Sequence, residues 1–418
     1  MNRMIKRACV SVAVLGVLAG AGSAALGAQQ GPTSGEPGAA TLPVAQVARL
    51  TAGGTTKTSA PGHKPRPTPT PTASPTPSPT PTPTPSPSNG SDVQIPMPGY
   101  APYYGFADIL LDEAHGRLYL SGGKGTSDVV VTDLDGHILR TLPGIAGAAG
   151  MTLSPDGSKL YVAASDGAWI VIFDTETFDS TSYWVGPNDG TMSCPRDLAF
   201  AAGSLWVSLG CDDGSNAGIA RVDPLTGRYD LNAIASVDQT IVRPPLLAPV
   251  PGQPNMLIAG ETGVSPALLV RFEVTAEGLV QRAIGSTDGG SVAQLAVTPD
   301  GGQVIVASGY PYYHRALSTA DFTEVHRYPT TTYPNAVVVR DDGLVVAGTA
   351  SSYEDDVWVF QPGGSTPVTT FDFGHLPNQE TWAYRLVDGG LAVRGNRIYA
   401  LTEQLSEPDM MTLRIRDM

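Results

Sequence analysis

Between Ile109 and Met418 short apolar runs alternate with polar turn residues in a phrase that returns seven times. Its forms are LLDEAHGRLYLSG (110–122), MTLSPDGSKLYVAAS (151–165), DLAFAAGSLWVSLG (197–210), LAPVPGQPNMLIAG (247–260), LAVTPDGGQVIVASG (295–309), VVVRDDGLVVAG (337–348) and LAVRGNRIYALT (391–402). Each pairs two apolar strands about a turn glycine, the pattern of a tight hairpin. The glycines Gly116, Gly157, Gly203, Gly252, Gly301, Gly343 and Gly395 follow one another at 41, 46, 49, 49, 42 and 52 residues. Two further strand-like runs complete each unit; in the second, AGMTLS, KLYVAA, WIVIFDTET and DSTSYWV read as strands A to D. Asp-x-x-Thr and Pro-x-x-Gly hairpins, as at 174–177 and 224–227, join C to D. Strand-rich units repeating every 40–50 residues predict β-propeller blades. Seven A–B hairpins predict an all-β, seven-bladed β-propeller of four-stranded antiparallel blades, with six or eight blades as alternatives.

The ring must also close. The last unit ends after MMTLRIRD, a strand C with no strand D behind it. The preceding segment VQIPMPGY (93–100) is expected to supply the missing outer strand, since an open blade would leave an unpaired edge. Pro96 and Pro98 suit only an edge strand. In this topology the Asp-Gly A–B turns occupy one face, and the B–C and D–A loops the other.

Cys194 and Cys211 flank the third hairpin. With a two-residue turn at Ala202-Gly203 the register opposes them at a non-hydrogen-bonded position, within disulfide reach. It also sets Leu198, Phe200, Leu205, Val207 and Leu209 on their face. A disulfide is predicted, against the alternative of two buried free thiols; two sulfurs without a nearby histidine are too few for a metal.

Ahead of the repeats the composition changes. Residues 1–28 read as a signal peptide: Arg3, Lys6 and Arg7 precede the apolar stretch Ala8 to Leu18, and small residues run through Ala28. An uncleaved membrane anchor is the rival reading. Residues 29–61 form a low-complexity, disordered segment. Residues 62–91 are a Pro/Thr/Ser-rich linker, extended because alternating proline fixes φ and removes donors. The propeller takes 92–418. Such a chain is expected to be secreted or extracellular, associated with a cell wall, and monomeric, and export favours the disulfide. The first 90 residues carry a net charge of +6, so 91–418 hold −20 against the chain's −14. That surface repels phosphate backbones, and nucleic acid is excluded as a partner.

The phrases SPDGSKLYVAAS and TPDGGQVIVASG resemble the YVTN-type repeat, a family that includes lactonase-like seven-bladed propellers. DEAHGRLYLSGGKGTSDVVVTDLDG is similar more narrowly to secreted propellers of high-GC Gram-positive bacteria, often followed there by immunoglobulin-like repeats that this sequence lacks. The resemblance covers about 100–418 and implies the fold; it does not imply an activity.

Catalytic signals are sparse. The six histidines, His63, His115, His137, His314, His326 and His375, form no HxH, HxxH or HExxH pair, and no GxSxG elbow is present. No catalytic residue and no cofactor are predicted. Asp212 and Asp213, with Asp355 and Asp356, offer oxygen ligands in loops, yet lack the spacing of a calcium loop; solvated loop tips are the alternative. Asp133-Leu134-Asp135-Gly136 reads as an ordinary C–D turn, and Arg340 and Trp382 as packing between blades.

The B–C loops are the longer and less regular ones, and they hold Tyr310, Tyr312, Tyr313, His314, Tyr353 and Glu354. Tyrosines beside carboxylates suit a cell-wall glycan or an extracellular protein, because the rings stack while the hydroxyls hydrogen-bond. The alternative is that they pack between blades. The sequence thus points to a non-enzymatic binding or scaffolding module on a Pro/Thr stalk. The alternatives are an extracellular lactonase- or lyase-type enzyme with a site at the central channel, and a structural envelope protein.

Overall fold

The computed structural model describes residues 90–418 except 101–105, 188, 237–239, 352–353, 374–383, 405–406 and 408; for 235 and 236 only the backbone is described. The predicted signal, the low-complexity segment and residues 62–89 of the predicted linker, with His63, Tyr353, His375 and Trp382, lie outside the described residues, while Gly90 and Ser91, assigned to the linker, belong to the first strand. Seven antiparallel sheets follow one another along the chain. Strand β1 (Gly90–Pro96) comes first. Blade 1 then holds β2–β5 (Asp108–Pro143), blade 2 β6–β9 (Ala148–Trp184) and blade 3 β10–β13 (Pro195–Asp230). Strand β14 (Ile234–Ser236) precedes blade 4, β15–β18 (Pro245–Ser286). Blade 5 is β19–β22 (Gln294–Tyr328), blade 6 β23–β26 (Pro334–Phe371) and blade 7 β27–β29 (Tyr384–Asp417).

The hairpin turns form where the pattern set them. All seven turn glycines have positive φ, between 55° and 86°, a region closed to most side chains. Asp133, Asp174 and Asp223 each accept two backbone N–H bonds from their own C–D turn, which is why aspartate recurs there.

Apolar residues alternate so that both faces of every blade are buried against neighbours. The result is seven separate interblade cores around the circle. Each carries large side chains: Tyr399 between blades 7 and 1, Tyr119 between 1 and 2, Trp206 and Phe272 between 3 and 4, Phe360 between 5 and 6. Cores joined in a closed ring make every blade depend on two others.

Closure uses the N-terminal segment as the sequence predicts, three residues earlier than expected. Strand β1 pairs antiparallel with β29 (Met410–Asp417), from Gly90 opposite Arg416 to Pro96 opposite Met410. Pro96 is the last ladder residue and Pro98 falls beyond it. Asp92 pairs with Arg414 and Arg416, and the Tyr100 hydroxyl donates to Glu403. Blade 4 departs from the four-stranded pattern: β14 adds a fifth strand, parallel to β18 (Leu279–Ser286), and covers its outer edge.

The disulfide joins Cys194 to Cys211 with Cα atoms 5.1 Å apart. Its setting differs from the expected one. The hairpin keeps the predicted register from Ala201↔Ser204 to Leu198↔Val207, then shifts, so that Pro195 opposes Leu209. A bulge at Arg196 and Asp197 takes up the extra residue, and the bridge closes beyond the ladder instead of across it. Leu198, Phe200, Leu205, Val207 and Leu209 share one interblade core as predicted.

Candidate functional site at the channel mouth

Strand A of every blade lines a central channel, and a cavity of about 770 Å³ opens from it on the face of the B–C and D–A loops. At the start of the apolar A-strand runs, Asp108, Gly150, Asp197, Leu246 and Gln294 line the cavity in blades 1 to 5, and Asn335 and Gly389 line it in blades 6 and 7. In blades 1, 3 and 5 the lining residue is a polar side chain that reaches the next blade. Asp108 accepts the Met151 N–H at 2.8 Å, Asp197 the Leu247 N–H at 2.7 Å and Gln294 the Val337 N–H at 2.6 Å. Asp197 accepts its own neighbour's amide too, from Leu198 at 2.8 Å. Gly150 is required between these clasps, because a Cβ there would lie 2.9 Å from the Asp197 Cα. The inner ring is therefore stapled blade to blade by groups that also face the cavity.

Burial pushes the Asp108 carboxyl up to about 6 and the Asp197 carboxyl up to about 7, against amide bonds that favour the anion; the Asp108 charge adds to the effect on Asp197. An acid that holds its proton more tightly when folded favours the fold below about pH 4, and that contribution is lost as pH rises through 6 to 7. The melting temperature should rise when pH falls from about 8 to about 6, and Asp197→Asn should flatten that rise, read by scanning calorimetry. A wild-type melting temperature that is level or falls over this range would contradict the assignment.

Beside Asp197 stands Arg196, its side chain 3% exposed. It donates to the Gly210 carbonyl at 3.0 Å, pairs with Asp212 at 2.5 Å and lies under the Phe106 ring at 5.3 Å. The bulge that turns Arg196 and Asp197 toward the channel is thus fixed by the disulfide, by Asp212 and by the next blade.

The tyrosines form a chain at the rim of this mouth. Tyr310 and Tyr312 lie in the B–C loop of blade 5, half-exposed and edge to face with centroids 5.7 Å apart. Tyr312 meets Tyr333 in the same way, also at 5.7 Å. Tyr333 comes from the loop between blades 5 and 6; it is 54% exposed, has φ of 60° and lines the cavity. Tyr313 turns aside, with Arg327 over its ring at 4.7 Å. Glu354 is exposed in the B–C loop of blade 6.

His314 does not belong to this surface. It begins strand β21 (His314–Ser318) and is fully buried, its Nε2 donating to the Ala336 carbonyl at 2.9 Å and its Nδ1 accepting from Thr330. Burial depresses its pKa to about 4, so it is a neutral pin between blades 5 and 6.

The acidic loop residues serve protein contacts. Asp212 pairs with Arg196 and Lys124, and Asp213 caps its own turn at Ser215. Asp356 is buried and accepts the Phe373 N–H at 2.8 Å, while the Asp355 carbonyl takes Trp358 Nε1. Among the described residues no three metal-ligating side chains come together. Arg340 bonds the Gly395 carbonyl of the next blade, an interblade contact as predicted.

Sequence reasoning missed Tyr333, Asp108, Asp197 and Gln294. The last three share a signal, a polar residue directly before three apolar ones (Asp-Ile-Leu-Leu, Asp-Leu-Ala-Phe, Gln-Leu-Ala-Val) in alternate repeats.

No family pattern matches the chain, and no curated protein does. Among solved structures, the β-propeller domain of Cps50 (Swd1) from Myceliophteria thermophila is similar. Its TM-score is 0.53 at 12% identity, over 77% of this chain and 99% of that one. The likeness is one of fold. Some 1325 solved chains share it, so it does not by itself narrow the activity.

Proposed function

We propose that this chain is a secreted or cell-surface, non-enzymatic propeller that binds an extracellular polymer at its channel mouth, with residues 62–89 as the stalk. The observation that carries this reading is the Tyr310–Tyr312–Tyr333 chain, half-exposed aromatic rings held edge to face at the rim of a 770 Å³ cavity. Monomeric surfaces keep aromatic clusters exposed where they bind. Strand β1 begins at Gly90 beside Arg416, at the A–B turn face and thus at the end of the blade opposite the mouth. The resemblance of SPDGSKLYVAAS and TPDGGQVIVASG to YVTN-type repeats, and the basic-then-apolar pattern of residues 1–28, support reading the chain as a secreted bacterial propeller.

The channel carboxyls bear on the enzymatic alternative. Asp108 and Asp197 titrate near neutrality, as acid–base groups do, and a lactonase- or lyase-type site would rest on them. Their oxygens, however, are engaged by backbone amides, which supports a structural role. Binding of cell-wall glycans and secreted proteins to Tyr312→Ala and Tyr333→Ala separates the readings. Each variant should lose about tenfold in affinity at unchanged melting temperature. Unchanged binding in both, or turnover of lactones abolished by Asp197→Asn, would overturn the proposal.

A further inference from the structure

The mouth face carries a second aromatic platform. Trp169 opens strand β8 (Trp169–Asp174) and Trp184 closes β9 (Ser180–Trp184), so both stand at the B–C and D–A end of blade 2. Trp169 is 42% exposed and meets Trp184 edge to face with centroids 5.1 Å apart. Trp184 is held from below: its Nε1 donates to the Gly186 carbonyl at 2.9 Å, and a Cβ on Gly186 would lie 2.8 Å from its ring. Every exposed aromatic among the described large hydrophobic residues, Trp169, Tyr310, Tyr312 and Tyr333, lies on this one face. In ring order blades 2 and 5 are three apart, so the two platforms stand on opposite sides of the channel.

We infer that this face binds an uncharged, extended glycan that stacks on the tyrosine rim, crosses the mouth and stacks again on Trp169. The inference rests on the proposed binding function and names its ligand. Three features select the chemistry. Separated rings suit a polymer that offers a flat apolar face at intervals along its length. Between them the cavity is lined by Thr262, Ser291, Ser308 and Asn335. Thr262 and Ser308 donate to backbone carbonyls and Ser291 accepts the Gly263 N–H, so the half-buried Thr262 and Ser291 hydroxyls each keep capacity for one further bond to a ligand hydroxyl. The net charge of −20 beyond residue 90 disfavours uronate- or phosphate-bearing polymers.

The test is calorimetric titration of the full chain with neutral glucose, mannose and N-acetylglucosamine oligomers, from disaccharide to octasaccharide. Polygalacturonate and a peptide copying residues 65–88 serve as further arms. A neutral series should bind, with affinity rising roughly tenfold from the shortest to the longest member. Trp169→Ala should remove the gain from length and leave disaccharide binding intact, whereas Trp169→Phe should restore most of it. Tyrosine-dependent binding that ignores both length and Trp169 would overturn this inference and leave the mouth as a site. Preference for polygalacturonate or the peptide would also overturn it, and binding indifferent to the tyrosines would remove the underlying reading as well.

Discussion

A chain beginning at Pro98, without β1, should fail to fold. That strand is no appendage. It supplies the outer edge of blade 7, pairing over seven residues with β29. Ile95 and Met97 are fully buried in the core between blades 7 and 1. Losing one such side chain costs about 2–5 kcal/mol. Losing both, with the ladder and the Asp92 ion pairs, matches the roughly 5–15 kcal/mol that stabilises a whole domain. Because each blade leans on two others, the loss cannot stay local: opening this seam exposes Leu413 and Ile415 and frees a hydrophobic strand edge. The expected result is aggregated protein with no cooperative melting transition, against a cooperative one for a chain beginning at Gly90. Ile95→Ala is the milder form and should cost about 3 kcal/mol. A truncated chain that melts within a few degrees of the full propeller would show that the ring does not need its clasp.

The parts legible in the sequence were those governed by short-range rules. Turn glycines fix hairpins and alternation fixes strand faces, both within about fifty residues; the closing pair is 318 residues apart at Gln94 and Thr412, yet it was legible because a final strand without an outer neighbour calls for a partner. The parts that were hidden depend on which segments meet in space. Strand β14 is three residues with no alternation of its own, and it exists because the connection into blade 4 lies beside an open edge. His314 follows three tyrosines in four residues and reads as part of their loop, yet its ring is fixed by a carbonyl from the next blade. Tyr333 stands alone in its own segment and joins Tyr312 only because blades 5 and 6 are neighbours. Asp212 looks like a calcium ligand until Arg196 and Lys124 are brought to it from blades 3 and 1. For His314, Tyr333 and the Lys124 pair of Asp212 the deciding partner lies across a blade boundary, where sequence spacing carries no information.

The same boundary governs the effect of the disulfide. Replacing Cys194 and Cys211 together by alanine should destabilise the propeller by about 3 kcal/mol, since a bridge across a separation of 17 residues removes that much loop-closure freedom from the unfolded chain. In a domain this large the melting temperature should fall by about 5 °C. The bridge also lies where the hairpin cannot hold itself. The bulge interrupts the ladder at Arg196 and Asp197, and Cys194 has φ of 50°, a conformation unfavourable for its side chain. Backbone bonds from Cys194 N–H to the Gly167 carbonyl, and from Gly210 N–H to the Cys194 carbonyl, anchor the same point to blade 2 and to the hairpin. Without the bridge these must restrain the bulge alone, and with it the Asp197 clasp on Leu247. Amide exchange should therefore quicken first at Leu198 and Leu247, ahead of the outer strands of the same blade. Non-reducing mass spectrometry should find residues 194 and 211 in linked peptides, and reduction of the wild type should reproduce the shift of the double variant. A reduced protein with unchanged melting and unchanged exchange at Leu247 would mean that the ion pair and the interblade amides hold the mouth without help from the bridge.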